Sequence, residues 1–496
     1  MMEPSRPWQL PLAGLAAMML LAACGRSEAP SSPAPSAAAP AAATNTPAPA
    51  ADAKPTVPTA QYSVPVEYRT LENGLKVVVS VDRTAPLATV AVYYHTGLRN
   101  EPKGRTGFAH LFEHMMFQGS ENLPKGEFDK LITGNGGVLN GSTRMDFTNY
   151  FEVVPVHVLE TALWAEADRM ARLSVTEENL INQQGVVSNE VRVNVLNRPY
   201  GGFPWLDMPQ YANENWYNAH NFYGDLADLE AANMEDVLDF YRTFYAPNNA
   251  ALVVVGDVDP EEVFALVEKH FGEIPARELP QPPDLSEPRQ EQEKFARKTD
   301  PLAPKPALAF AYHVPERNTP EYFAMGLLST ILTGGEDSLL HQELVQKRGY
   351  AGGVSGGINL LGNMFNYEGP MIYTVSLIHD DRHSAQEIIA AVDEVVDRLR
   401  AEPVDEDTMN RALTKFRSGF YSAQNATYGF GRADLLASFA LFDDDPARIN
   451  TIEAAMRAVT PELIVETAKE YLRPANRTVL VVEPGADRPA PAGQEG

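Results

Sequence analysis

His110, Glu113 and His114 form the pattern H-x-x-E-H. On an α-helix, positions i and i+4 sit one turn apart on the same face, so His110 and His114 can present two imidazoles to one zinc ion. Glu113 lies beside that face, where its carboxylate can reach a water without becoming a ligand. This is the zinc-peptidase pattern H-E-x-x-H with the acid on the other side. In such chemistry a metal polarises a carbonyl and acidifies a water, and the carboxylate takes the proton. A further protein ligand is required, and a fourth position must stay open. His95, His157, His270, His313, His341, His379 and His383 show no comparable ligand spacing. His379 and His383 are four apart, but Asp380 and Asp381 between them read as a polar turn.

The elements that must position these residues are legible around them. Leu75–Ser80, Ala88–Tyr94 and Thr148–Val154 predict strands, and helical periodicity follows over 156–173 and 176–195. A Pro-rich stretch near Pro275–Pro288 precedes a second half that opens with the strand-like Leu308–Tyr312 and closes near Val482. The ends of the halves match. Tyr245-Ala246-Pro247-Asn248-Asn249 leads into Leu252–Val255, and Leu472-Arg473-Pro474-Ala475-Asn476 leads into Val479–Val482. Pro247 and Pro474 are offset by 227, as are Asn249 and Asn476. Helix, turn and buried strand recur together, as in a duplicated domain. Strands mixed with long helices, without strict βα alternation, predict an α+β fold of two homologous domains, each a mostly antiparallel sheet packed with helices. The run Gly352–Gly357 lacks the Lys-Ser/Thr of a phosphate loop and reads as a mobile loop.

In this order the residues resemble the pitrilysin/insulinase/mitochondrial processing peptidase family of zinc peptidases, over nearly all of 62–487. The family's H-x-x-E-H is followed by a ligand Glu in a second helix. Glu190, 76 residues after His114 in Val186-Val187-Ser188-Asn189-Glu190, is thereby implied as the third zinc ligand, with Glu113 as general base. Asn140-Gly141-Ser142-Thr143, followed by Asp146, Thr148 and Tyr150-Phe151, is similar to the family's N-A-x-T…T-x-Y-Y strand. In the family that strand's edge pairs with bound peptide, so Asn140, Gly141 and Ser142 are implied as substrate-binding. His220-Asn221-Phe222-Tyr223-Gly224 resembles H-P-Y-G, Tyr245–Asn249 resembles Y-x-P-x-N, and Gly256-Asp257 resembles the closing G-D.

Three departures stand out. Gln183 occupies a position where the family has a second acidic residue before the ligand Glu. Gly141 replaces Ala, which is expected to loosen an extended strand. In the second half, Met325-Gly326-Leu327-Leu328-Ser329-Thr330 aligns with the motif helix and carries no ligands. The resemblance thus implies one zinc per chain, in the first domain only. It also implies half of a clamp, whose other half carries an Arg/Tyr pair. The strand Met371–Leu377 holds no such Arg, so a homologous partner subunit is expected to supply it. The activity implied is endopeptidase cleavage of unfolded peptides. Two rival readings are a non-catalytic assembly or chaperone-like subunit of the same fold, and a lipid-anchored protein that binds peptide or metal without turnover.

The ends of the chain set its compartment. Leu10–Ala23 is an apolar run too short to span a bilayer and reads as a signal peptide over 1–23. It ends in Leu21-Ala22-Ala23-Cys24-Gly25, which resembles the lipobox of bacterial lipoproteins with Cys24 as the lipidated residue. This implies a lipid anchor in the cell envelope, facing the periplasm. Gly25 in place of Asp favours the outer membrane. Residues 25–60 hold 13 Ala and 8 Pro, a tether over 24–61 that cannot bury a core. The catalytic domain is expected over 62–274, a linker over 275–290, the metal-free domain over 291–487 and a flexible tail over 488–496. With 66 Asp+Glu against 40 Lys+Arg, the net charge is −26, which excludes a phosphate backbone as partner. Cys24 is the only cysteine, so no intramolecular disulfide or Cys-rich zinc site is available.

Overall fold

Val77-Val78-Val79 and Leu252-Val253-Val254-Val255 are apolar at every position, and every one of these side chains is buried. A strand covered on one face alternates, whereas one covered on both faces does not. The computed structural model describes residues 63–485 and shows both faces covered. The signal segment, Cys24, the tether and the tail lie outside the described residues.

The first half runs β1 (Glu67–Thr70), β2 (Lys76–Val81), β3 (Leu87–Tyr94), α1 (Phe108–Met115), β4 (Val138–Thr143), β5 (Thr148–Pro155), α2 (Leu159–Arg172), α3 (Glu177–Val191), α4 (Asp207–Ala212), α5 (Met234–Phe244) and β6 (Ala250–Gly256), with further helices that include Glu127–Gly134 and Pro260–Phe271. The second runs β7 (Lys294–Asp300), β8 (Ala307–His313), α6 (Pro320–Thr333), β9 (Ser355–Ile358), β10 (Ile372–Ile378), α7 (Ala385–Ala401), α8 (Glu406–Gln424), α9 (Phe430–Asp443), α10 (Pro461–Tyr471) and β11 (Arg477–Pro484). The sheets are ordered β1-β2-β6-β3-β5-β4 and β7-β11-β8-β10-β9. Without β1 the two orders coincide strand for strand. Only β2–β6 and β7–β11 pair in parallel; every other pair is antiparallel. The fold is α+β, with the same sheet built twice.

The recurrent Pro and Asn have a shared physical reason. Asn249 Nδ2 donates to Phe244 O at 2.9 Å and to His95 O at 3.2 Å. Asn476 Nδ2 donates to Tyr471 O at 2.7 Å and to His313 O at 2.9 Å. In each half the amide satisfies a carbonyl at the end of the preceding helix and another at the end of the sheet's middle strand. Such carbonyls have no partner within the helix itself.

Each half also lays a helix on the other's sheet. Ala91 and Tyr93 of β3 and Val253 and Val255 of β6 share a core with Leu436 and Phe439 of α9. Tyr93 OH donates to Asp434 Oδ1 at 2.9 Å. Reciprocally, Met208 and Ala212 of α4 pack on Ala307, Ala309 and Ala311 of β8 and on Leu480 of β11.

Some local expectations shift. The first predicted helix opens with a 3-10 turn at Val156–Val158 before α2. The second starts where the Thr176 side chain accepts from Asn179 N, and beyond Val191 it widens into a π turn at Arg192–Leu196. The Gly-rich run is not merely a loop: Ser355–Ile358 is the edge strand β9, in register with β10. The edge strands β1 (EYRT) and β7 (KFARKTD) carry no apolar run to announce them. Charged residues on an edge suit it, because they discourage pairing with other chains.

Candidate metal centre

Helix α1 presents Phe108, Leu111, Phe112 and Met115 to the core, which sets His110 and His114 on the adjoining face. Their rings lie 4.9 Å apart at 84°. Helix α3 runs beside α1 and brings in Glu190. His110 Nε2 is 3.8 Å from Glu190 Oε1, and His114 Nε2 is 3.4 Å from Glu190 Oε2. The ligand atoms of the three residues all lie within 4.8 Å of one another. Ligands about 2.0–2.1 Å from a tetrahedral zinc sit roughly 3.4 Å apart, and two imidazoles with one carboxylate are a zinc donor set. The residues present therefore fit that ion.

The electrostatics follow from burial and proximity. Burial pulls the His110 pKa down, keeping the imidazole neutral and able to donate its lone pair. Burial acts the same way on His114, but the hydrogen bond to Glu190 and the charges of Glu113 and Glu190 outweigh it and raise its pKa. For Glu190, burial works upward and the contact with His114 prevails, so its pKa is lowered. Gln183 is buried, and its Nε2 donates to Asn182 Oδ1 at 2.8 Å.

Glu113 is held from the sheet. Thr143, the last residue of β4, donates its hydroxyl to Glu113 Oε2 at 2.8 Å. Strand β4 is the sheet edge, paired only with β5, so Asn140, Gly141 and Ser142 lie on the same exposed edge as Thr143. Asn140 is exposed, and its Oδ1 accepts from Gly141 N. Ser142 Oγ donates to Asn149 Oδ1. Gly141 does not loosen the strand. It pairs in register with Tyr150, and a Cβ there would lie 3.2 Å from both the Phe117 and Tyr150 rings. Glycine here relieves crowding rather than adding freedom.

Sequence reasoning missed the roles of three residues. Tyr223 OH reaches Glu190 Oε1 at 3.4 Å, and its ring meets His110 edge-on at 5.0 Å. Burial and the Glu190 charge push its pKa well up, so it remains a donor. Its place in His220–Gly224 was the available signal. Thr143 lay in the quoted strand motif without an assigned role. Glu101 carried no signal at all. It is fully buried and accepts from Gly107 N at 2.9 Å and Ala109 N at 2.8 Å, capping α1. His220 Nε2 lies 3.2 Å from the same carboxylate. Two glycines permit this meeting. Gly107 and Gly224 have φ of +83° and +73°, and a Cβ on Gly224 would fall 2.3 Å from Gly107 N.

The equivalent position in the second half is closed. A Cβ on Gly326 would come within 2.7 Å of Met364 Cε and 3.1 Å of Met456 Cε. Methionine side chains fill the space that an imidazole would need.

Comparison with known proteins agrees with this asymmetry. The family described as Insulinase (Peptidase family M16) matches residues 76–200, and that described as Peptidase M16 inactive domain matches 231–416. The chain is similar to zinc protease PqqE of Helicobacter pylori, 33% identical over 288 residues, 57% of this chain and 64% of that protein. The crystal structure of a protease from Helicobacter pylori superposes with a TM-score of 0.78 at 26% identity, covering 85% of this chain and 100% of that one. The periplasmic protease PqqL from Escherichia coli shares the fold, with a TM-score of 0.69 at 16% identity, over 85% of this chain and 48% of that one. The chain thus spans less than two thirds of the curated relative and about half of PqqL. With both family segments present in order on a matching fold, the chain belongs to peptidase family M16.

Proposed function

We propose that the protein is a zinc-dependent endopeptidase of unfolded peptides, with His110, His114 and Glu190 holding the metal and Glu113 acting as general base. The observation that carries this reading is the convergence of two imidazole Nε2 atoms on the two oxygens of Glu190, with a second acid, Glu113, beside them pinned by Thr143. A bound zinc ion supplies carbonyl polarisation and an acidified water. Glu113 takes the proton of the attacking water on its carboxylate and returns it to the leaving amine. Thr143 holds that carboxylate in one orientation, so that little reorganisation is needed when the proton moves. The β4 edge offers unpaired backbone groups to an extended peptide, which favours chain conformation over sequence.

The rival in which the fold serves assembly alone is disfavoured by the intact donor set. We further propose that the chain is half of a clamp completed by a homologous subunit, and that Cys24 is lipidated and tethers it to the periplasmic side of the envelope. Replacement of Cys24 by Ser should abolish incorporation of labelled fatty acid.

Zinc analysis of the purified chain, with cleavage of a quenched unfolded peptide before and after chelation and zinc add-back, tests the activity. One zinc per chain and restored cleavage are expected. A chain that binds no zinc, or that cleaves equally after chelation, refutes the reading.

A further inference from the structure

The segment joining Glu190 to Tyr223 leaves the metal site, touches the second half and returns. Beyond α3 and its π turn the chain docks on the open face of the second sheet. Tyr200 N donates to Asp300 Oδ2 at 2.7 Å, and Tyr200 OH donates to Lys305 O at 2.7 Å. Lys298 Nζ of β7 grips both oxygens of Asp207, at 2.8 and 2.9 Å. At the far end of α4, Lys294 Nζ donates to Ala212 O at 2.8 Å, and His313 Nε2 approaches the same oxygen at 3.3 Å. The sheet face beneath is made of small residues, Ala307, Ala309 and Ala311, which let α4 lie close.

The strap's root is a separate small core. Val191 at the end of α3, Leu206 just before α4 and Tyr223 pack together, with Trp205 against them. Tyr223 is the residue whose hydroxyl meets Glu190. One residue, Asp207, separates Leu206, in this core, from Met208, on the second sheet. The path from the second sheet to the metal-ligating carboxylate is thus short and packed throughout.

We propose that the metal-free half positions Glu190 through this strap, with Lys298 and Asp207 as positioning residues for the metal site. The second half carries no such ligand set among the described residues but still sets the geometry of the first half's site. This rests on the metal reading above.

The test uses the full chain with Lys298→Met, and Lys298→Arg as the conservative control. Zinc affinity is measured by chelator competition, and amide exchange over 188–196 is followed in the zinc-free protein. Loss of a residue supporting a metal ligand typically weakens affinity by about 10- to 100-fold. Lys298→Met is expected to weaken zinc binding at least about tenfold, with faster exchange at the end of α3 and Lys298→Arg close to wild type. Should Lys298→Met fail to fold, Lys294→Met loosens the other end of the strap and carries the same expectation. A folded variant with wild-type zinc affinity and wild-type exchange overturns the inference and leaves the metal site standing. A wild-type chain that takes up no zinc overturns the metal reading and the inference with it.

Discussion

The Thr143 hydroxyl lies 2.8 Å from Glu113 Oε2, joining the acid beside the two imidazoles to the exposed edge of the sheet. Glu113 is thereby oriented by the strand proposed to receive the peptide. Thr143→Val removes the donor with little change in volume. It should lower kcat by about 10- to 100-fold while leaving zinc content intact, and Thr143→Ser should restore most of the rate. Glu113→Gln should retain zinc and lose about 10²- to 10⁴-fold, the scale of general-base catalysis. Steady-state kinetics with metal analysis of each variant separates these outcomes. Undiminished turnover in Glu113→Gln would remove the assigned role.

Glu101 caps the metal helix from inside the core. Two backbone donors, Gly107 N and Ala109 N, depend on it, and the helix dipole favours its charge. Burial works against that charge and raises its pKa. Glu101→Ala orphans both donors and should cost about 2–4 kcal/mol in a denaturant titration, since each buried donor left unpaired costs about 1–3 kcal/mol. A loss within a few tenths of a kcal/mol would show that water replaces the carboxylate without penalty.

The motif helix, the duplicated helix–turn–strand and the α+β class were legible because local chemistry specifies them. An i, i+4 pair of histidines needs only a helix, and a buried strand with Pro and Asn ahead of it signals itself twice. The edge strands β1 and β7 and the Gly-rich β9 were less legible, because their pairing comes from neighbours rather than from their own pattern. Glu101 and Tyr223 were hidden for a related reason. Tyr223 reaches Glu190 from 33 residues further along the chain, and Glu101 caps α1 from a segment that carries no motif of its own. The reciprocal packing of α4 and α9 left a trace only as strands without alternation, which reveals a covered face but not what covers it.

A buried charge cluster behind the site gives a pH signature. Arg169 donates to Glu166 Oε2 at 2.7 Å and to Glu152 Oε1 at 3.2 Å, and both acids are fully buried. One guanidinium faces two carboxyls. Burial and the charge of Glu166 push the Glu152 pKa well above its ordinary 4.5. The folded chain therefore holds a proton that the unfolded chain releases. Stability is fully present below about pH 4.5 as far as this group is concerned, and it falls as pH rises toward the folded-state pKa. Glu152→Gln mimics the protonated acid and removes that loss. Its melting temperature should exceed that of wild type by more at pH 8 than at pH 5. An equal difference at both pH values would place the proton elsewhere.

The proposed clamp calls for a homologous second half opposite the metal site. Among the described residues only the first half carries such a donor set, and Met364 and Met456 crowd the matching Gly326 in the second. Strand β10, Ile372–Ile378, contains no Arg, and Arg382 just beyond it is engaged by Asp380 at 2.9 and 3.0 Å. Strand β10 therefore carries no guanidinium where the family resemblance implies one. The isolated chain should bind zinc yet cleave slowly. Adding a homologous chain with an Arg/Tyr pair should raise kcat/KM by about 10²- to 10³-fold, the scale of one oxyanion-stabilising donor. Mass measurement in solution should show a heterodimer under the same conditions. Full turnover by a monomer, unchanged on mixing, would mean that the single chain supplies the whole site.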